Sequence, residues 1–240
     1  MHVNAIDGGY VCYLNDVARI NQLRRNLADS IKKLNQANRL LAGEKQVKQA
    51  TAGARVRVEL YGELHSQLYD DSVQLAQKIE SMPSAQVSGA QLSQIALATC
   101  YIKRSANWFF RVRDHRLIQI EDLQLYMEEL VEIAEYSGLN IALNCRADGS
   151  LTTRRAALVY RFFYRVVEAV IAASRSTLLV QIVADGAALA VNLMPSGGRL
   201  AFVVDGKTAA EITRLGGHYA LSDLDDAFGI TLQFNGEVSS

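Results

Sequence analysis

The sequence predicts an α+β protein in which a long coiled coil and a helical hairpin precede an α/β sandwich, a mixed sheet with helices on one face. Helical periodicity extends from Asp16 to about Ile79, with no proline before Pro83. After about residue 119 the pattern changes to helices that alternate with short strands. At 240 residues, 50% of them hydrophobic, the chain is long enough for one or two packed domains.

The first fifteen residues predict an N-terminal extended segment with a turn at Asp7-Gly8, and Asn15 or Asp16 can cap the long helix that follows. In the first half of that helix, apolar residues recur at spacings of three and four, as a coiled-coil seam requires. They are Ile20, Leu23, Leu27, Ile31, Leu34, Ala37 and Leu41. A helix of this length would span roughly 95 Å. It must pair along its length, so we expect a homodimer.

A second helix is predicted to complete a helical hairpin. Met82-Pro83-Ser84 and Ser88-Gly89 indicate a loop, and helical periodicity resumes from Leu92 to Phe109. Two such hairpins from two chains can close a four-helix bundle. Residues 16–115 are therefore assigned to a coiled-coil and helical-hairpin dimerisation domain.

The remaining residues, 119–240, predict the α/β sandwich. Helices are expected over 121–137, 151–175 and 207–215, and strands over 139–144, 177–184, 187–194, 199–204, 218–222 and 228–234. Asp185-Gly186 between two strands is a strong signal for a two-residue hairpin. Gly138 follows the first of these helices, as expected where a helix ends.

The charge is unevenly distributed although the formal net charge is zero. Residues 17–57 carry ten Lys or Arg against two acids, whereas residues 58–135 carry twelve acids against six bases. The basic stretch is interpreted as a solvated coiled-coil face, with contact to an anionic membrane leaflet or nucleic acid as the alternative. No nucleic-acid partner is expected, because the stretch lacks interleaved aromatic residues.

Cysteine content and hydropathy bear on the compartment. The three cysteines are odd in number and lack metal-ligand spacing, which favours a reducing cytoplasm and implies no zinc site. No apolar run reaches about 18 residues, and the N-terminus does not resemble a signal peptide. We expect a cytoplasmic protein, either free or the cytoplasmic part of a membrane-anchored parent with an upstream sensor.

The order of elements and three short stretches resemble the cytoplasmic core of a sensor histidine kinase. The stretches are Leu60-Tyr61-Gly62-Glu63-Leu64-His65, residues 101–107 and Leu215-Gly216-Gly217. The resemblance covers almost the whole chain and is closest to Gram-positive bacterial histidine-kinase-like proteins with an N-terminal membrane sensor. It implies dimerisation and phosphotransfer helices followed by a GHKL-type ATPase-like domain.

The resemblance implies that His65 is the phosphoacceptor, and Glu63 or Glu59 is the candidate carboxylate to orient it. Autophosphorylation needs an exposed imidazole with a neighbouring base. Ser66 follows the histidine, where the family usually has an acidic residue. His65 also lies on the helical period of the second half of the long helix, so a structural histidine is the alternative.

In the nucleotide site, the resemblance implies that Glu168, Gly197 and Gly198 contact the cofactor. The family places an asparagine that binds magnesium four residues after the glutamate, and here Ala172 stands there. The aspartate that recognises adenine is also missing where the strand ends at Pro195, and only the glycines remain. Asp205-Gly206 is interpreted as a turn before a helix, not as the missing motif.

Two functions follow from this comparison of residues. The first is a histidine-kinase-like two-component protein with a degenerate nucleotide site, which acts as a dimeric signal-transmitting module without a cofactor. The alternative is an active kinase that uses ATP and magnesium to phosphorylate His65 and then a response regulator.

Overall fold

The computed structural model describes residues 2–13, 18–82, 88–114, 117–185, 188–224 and 227–236. The chain divides into two compact units, Met1–Gly62 and Glu63–Ser240. The predicted cap at Asn15 or Asp16, most of the loop at Pro83-Ser84 and Gly186 of the predicted hairpin turn lie outside the described residues. No helix within the described ranges is long and apolar enough to cross a membrane.

The first unit begins with a two-stranded antiparallel hairpin. Strands β1 (His2–Ile6) and β2 (Gly9–Tyr13) pair across the predicted turn at Asp7-Gly8. Gly8 has a φ of 94°, a left-handed conformation that glycine adopts without a Cβ penalty. The long helix α1 (Ala18–Glu80) follows and contributes residues 18–62 to this unit.

The predicted seam of α1 is exposed to solvent in the single chain. The side chains of Leu23, Leu27, Ile31, Leu34 and Leu41 are between 50% and 62% exposed. Exposed apolar residues that repeat with the period of a coiled coil are what an unpaired helix of a coiled-coil dimer presents.

The second unit contains residues 63–80 of α1, four further helices and two sheets. The helices are α2 (Gly89–Asp114), α3 (Ile120–Glu135), α4 (Thr153–Ala172) and α5 (Gly206–Arg214). The strands are β3 (Leu117–Gln119), β4 (Asn140–Arg146), β5 (Ser150–Thr152), β6 (Thr177–Asp185), β7 (Ala188–Pro195), β8 (Gly217–Leu224) and β9 (Ala227–Phe234).

The main sheet is mixed and has the order β4-β6-β7-β9-β8. β4 pairs with β6 in parallel, and the other three pairs are antiparallel. Strands β3 and β5 form a separate antiparallel pair. The predicted fold class, a helical region followed by an α/β sandwich with a mixed sheet, is confirmed.

One face of the sheet is buried beneath the helices. Along β7 the burial alternates residue by residue, and its buried Val191 and Leu193 are aligned with Leu232 and Ile230 of β9. Helices α3, α4 and α5 contact the sheet, and α2 packs outside them on α3 and α4. Burying each such aliphatic side chain contributes about 1.5–3 kcal/mol to stability. Burial in this core therefore holds α4 against the sheet.

The strand predicted over 199–204 was wrong. Residues 199–205 contain no strand, although Leu200 and Phe202 alternate with exposed residues. The segment has the period of a strand but lacks a neighbouring strand to pair with, and its Phe202 N–H donates to the carbonyl of Leu200 at 2.8 Å. The short strands β3 and β5 were not predicted, because three residues are too few to show alternation.

Candidate functional site

Glu168 lies near the end of α4, and both of its carboxylate oxygens are bound by cationic side chains. Lys78 Nζ of α1 is 2.5 Å from Oε1, and Arg165 Nη1 donates to Oε2 at 3.1 Å. Arg165 lies three residues before Glu168 on the same face of the helix. The side chain of Glu168 is 28% exposed, so this ion pair is partly shielded from water.

Arg165 also binds a second carboxylate on α1. Its Nη2 donates to Asp71 Oδ1 at 2.7 Å, and the Asp71 side chain is 16% exposed. The guanidinium lies near the rings of Tyr101 and Tyr164, which are stacked with their centroids 3.9 Å apart. Asp71, Arg165, Glu168 and Lys78 therefore form one continuous chain of charges, called here the α1–α4 network.

The network keeps Glu168 ionised. Partial burial alone would raise the pKa of its carboxyl group, but the hydrogen bond and charge of Lys78, with the charge of Arg165, outweigh this and lower the pKa below its ordinary value. Its negative charge is thus already balanced by two cations of the protein.

A cavity of about 240 Å³ lies beside Glu168, between α4 and the segment that precedes α5. Its lining is mostly apolar: Phe162, Ala169, Ala172 and residues 201–204, with Arg165, Glu168, Asp205 and Thr208 as the polar members. Phe202 is buried and its ring meets that of Phe162 edge-on at 5.7 Å. The segment that precedes α5 thus packs its own aromatic ring against α4.

Asp205 is occupied as the N-cap of α5. Its Oδ1 accepts from the backbone N–H of Thr208 at 2.9 Å, and its Oδ2 accepts from the Thr208 hydroxyl at 2.7 Å. Partial burial would raise the pKa of Asp205, but these hydrogen bonds dominate and lower it. As predicted, Asp205-Gly206 is the turn into a helix.

The residues around this cavity do not fit a magnesium ion. Magnesium prefers several hard oxygen ligands in octahedral geometry, whereas Glu168 is already paired and Ala172 offers no oxygen. The described part of the chain contains no group of three or more His, Cys, Asp or Glu placed to hold a metal ion.

Gly197 and Gly198 lie in the turn after β7 and do not line this cavity. Gly197 has a φ of 79°, and a Cβ at this position would collide with the guanidinium of Arg175. Arg175 Nη2 is 3.5 Å from the carbonyl of Gly198, and the Ser196 N–H donates to the carbonyl of Thr177. Local packing thus explains why residue 197 is a glycine.

His65 is exposed on α1, and its ring meets that of Tyr69 edge-on at 5.6 Å. Within the described residues it has no hydrogen-bond or ion-pair partner. Glu63 instead accepts a hydrogen bond from Arg113 of α2. Residues two apart on a helix do not face each other. The structure therefore does not bring the carboxylate of Glu63 to His65.

Lys78 and Asp71 were not singled out from the sequence. They are seven residues apart and therefore share one face of α1. The sequence alone shows that spacing, but the partners of the two residues lie about ninety residues further along the chain. Only the packing of α4 identifies which charges they meet.

Comparisons with known proteins give structural matches alone. No protein-family model matches the chain, and no curated protein does. The similar solved structures include the Acinetobacter baumannii histidine kinase AdeS, with 11% identity, a TM-score of 0.41 and coverage of 72% of this chain and 98% of that one.

Two further matches come from other histidine kinases. The histidine kinase domain of the blue-light activated histidine kinase from Erythrobacter litoralis has 10% identity, a TM-score of 0.47 and coverage of 71% of this chain and 84% of that one. The catalytic domain of the histidine kinase ThkA has 11% identity, a TM-score of 0.41 and coverage of 50% of this chain and 95% of that one. All three are histidine kinase structures.

Proposed function

We propose that this chain is a histidine-kinase-like signalling protein with a degenerate nucleotide site, and that it acts as a dimeric signal-transmitting module. The observation that carries the proposal is the state of Glu168. Both of its oxygens are bound by Lys78 and Arg165, and Ala172 stands where a second oxygen ligand would be needed.

Electrostatics explains why this arrangement disfavours a bound metal ion. A divalent cation at Glu168 would have to displace the ammonium of Lys78 from Oε1 and would then lie close to the guanidinium of Arg165. Repulsion between like charges and the loss of the Lys78 hydrogen bond oppose that exchange. Among the described residues, the only other carboxylate that lines the cavity is Asp205, whose oxygens bind Thr208.

The dimeric part of the proposal rests on the exposed seam of α1. Five aliphatic side chains with the coiled-coil period are at least half exposed, and they form the kind of stripe that an identical helix covers. The basic residues of 17–57 that lie off this stripe would face water in such a dimer.

The test is calorimetric titration of the native chain with magnesium and ATP, combined with transfer of radiolabelled phosphate. We expect no binding at millimolar nucleotide and no label on the protein. As a matched pair, His65→Gln and His218→Gln each remove one exposed histidine, from α1 and β8 respectively. Micromolar binding with label that is lost only in His65→Gln would overturn the proposal.

The same experiment tests the alternative, an active kinase that passes phosphate from His65 to a response regulator. The exposure of His65 favours this alternative, because an attacking imidazole nitrogen must be accessible. The ion pair of its candidate base counts against it, since Glu63 is bound to Arg113. Only this alternative needs ATP and magnesium.

A further inference from the structure

Charged side chains attach the C-terminal part of α1 to the rest of the second unit. In the part of the chain that the structure describes, four ion pairs do so: Glu63–Arg113, Asp70–Lys207, Asp71–Arg165 and Lys78–Glu168. Glu63 and Asp70 are seven residues apart, as are Asp71 and Lys78, so the α1 members lie within one face of the helix. This face meets α2, α4 and α5 through charges at each of these points.

Apolar packing contributes little to this attachment. Leu64, Leu68 and Leu75 of α1 are only partly buried, and none of the described residues of α1 belongs to the buried core. Clefts of about 600 and 1,000 Å³ lie along this face, each lined by α1 and by α4 and α5. The helix is therefore held without close-packed apolar contacts beneath it.

The four ion pairs are unequally shielded from solvent. The side chains of Lys207 and Asp70 are 91% and 73% exposed, whereas those of Asp71 and Glu168 are 16% and 28% exposed. Exposed pairs are screened by salt and contribute little, while partly buried pairs retain more of their attraction. The α1–α4 network must then supply most of the electrostatic attachment.

We propose that the α1–α4 network is a releasable latch, in which Glu168 and Arg165 hold Lys78 and Asp71 of the signalling helix against α4. The inference deepens the proposed function and rests on it in one respect, that Glu168 is not engaged by a metal ion. The carboxylate that the kinase resemblance assigns to magnesium here binds the helix that transmits the signal. Such an attachment has two discrete states, docked and released, and a displacement of α1 can bias the balance between them.

The test is hydrogen–deuterium exchange of the backbone amides of residues 63–80 in the full chain. Lys78→Glu and Glu168→Lys each replace the attraction by repulsion, so we expect exchange about five-fold faster or more, the change that loss of a partly buried interaction produces. The double variant Lys78→Glu/Glu168→Lys restores an opposite pair and should return the exchange toward the native rate. Unchanged exchange in the single variants, or additive effects in the double variant, would overturn the latch.

A matched control makes the same charge change elsewhere on α1. Arg55→Glu breaks the exposed pair with Glu59, which lies within the helix itself at 3.0 Å. It should leave the exchange of residues 63–80 unchanged, and an equal increase in this control would contradict a specific role of Lys78. If Glu168→Lys does not fold, Lys78→Met tests the same pair from the partly exposed side of α1 and should also accelerate exchange.

Repeating the measurement with magnesium and ATP separates the two proposals. If the nucleotide binds to the native chain, the degenerate site is disproved, and the charge variants measured without nucleotide decide the latch separately. If the nucleotide does not bind and the charge variants leave exchange unchanged, the degenerate site stands and the latch is disproved.

Discussion

Gly197 and Gly198 form a natural comparison between two neighbouring residues of the same type. Gly197 has a left-handed φ of 79°, and Arg175 occupies the space where a side chain would begin. No atom lies within 4 Å of the Cβ position of Gly198. From the sequence, both glycines were interpreted as remnants of a nucleotide site. The structure shows that the backbone conformation of Gly197 and the position of Arg175 favour glycine there for local reasons.

We predict that Gly197→Ala lowers the free energy of unfolding by about 1–2 kcal/mol, because an alanine must adopt a left-handed φ and displace Arg175. Gly198→Ala should change it by less than about 0.5 kcal/mol, as is usual at exposed positions without special contacts. Urea denaturation of both variants measures the difference. Equal losses in the two variants would contradict a local role for the Gly197 backbone.

Asp205 stabilises α5 through two acceptor oxygens. Asp205→Ala removes the cap of Thr208, so we expect a loss of about 1 kcal/mol near neutral pH. Asp223→Ala, on exposed strand β8, serves as the control and should lie close to the native protein. Thermal or urea unfolding reports the difference.

The capping contribution of Asp205 should depend on pH in a definite direction. Hydrogen bonds hold the pKa of Asp205 below its unfolded value, so its contribution is fully present above the unfolded pKa of about 3.9 and is lost as the pH falls through the lower, folded pKa. The stability difference between native protein and Asp205→Ala should therefore narrow in acid. A difference that is constant down to pH 2 would contradict the role of the ionised carboxylate.

At the scale of elements, the predictions succeeded where periodicity coincided with a turn signal. The predicted helix over 207–215 is α5 at Gly206–Arg214, and the strand predicted over 228–234 is β9 at Ala227–Phe234. Residues 199–204 show the limit of the method. Their alternating burial is real, but a strand also needs a hydrogen-bonding neighbour, and sequence period carries no information about that neighbour.

The candidate site was predictable only in part for the same reason. Glu168 and Ala172 could be compared directly with the kinase pattern because both lie on one helix. The cations that neutralise Glu168 could not be assigned in advance, since Lys78 is separated from it by 90 residues. One of the two cations that neutralise Glu168 of α4 thus lies on another helix, α1.

At the scale of the whole molecule, helix α1 carries both the exposed seam and two members of the α1–α4 network. Residues 18–62 of α1 present exposed apolar side chains, and residues 63–80 present charges that bind α2, α4 and α5.

The seam can be tested by introducing one charge at its centre. Leu34→Asp places a carboxylate at the predicted helix interface, and its burial without a partner should convert a dimer of two 26.4-kDa chains to monomer. Gln36→Asp adds the same charge on the opposite side of α1 and should leave the dimer intact. Light scattering during size-exclusion chromatography gives both masses. A native monomer, or equal dissociation in the two variants, would refute the seam and leave the exposed leucines without a self-complementary partner.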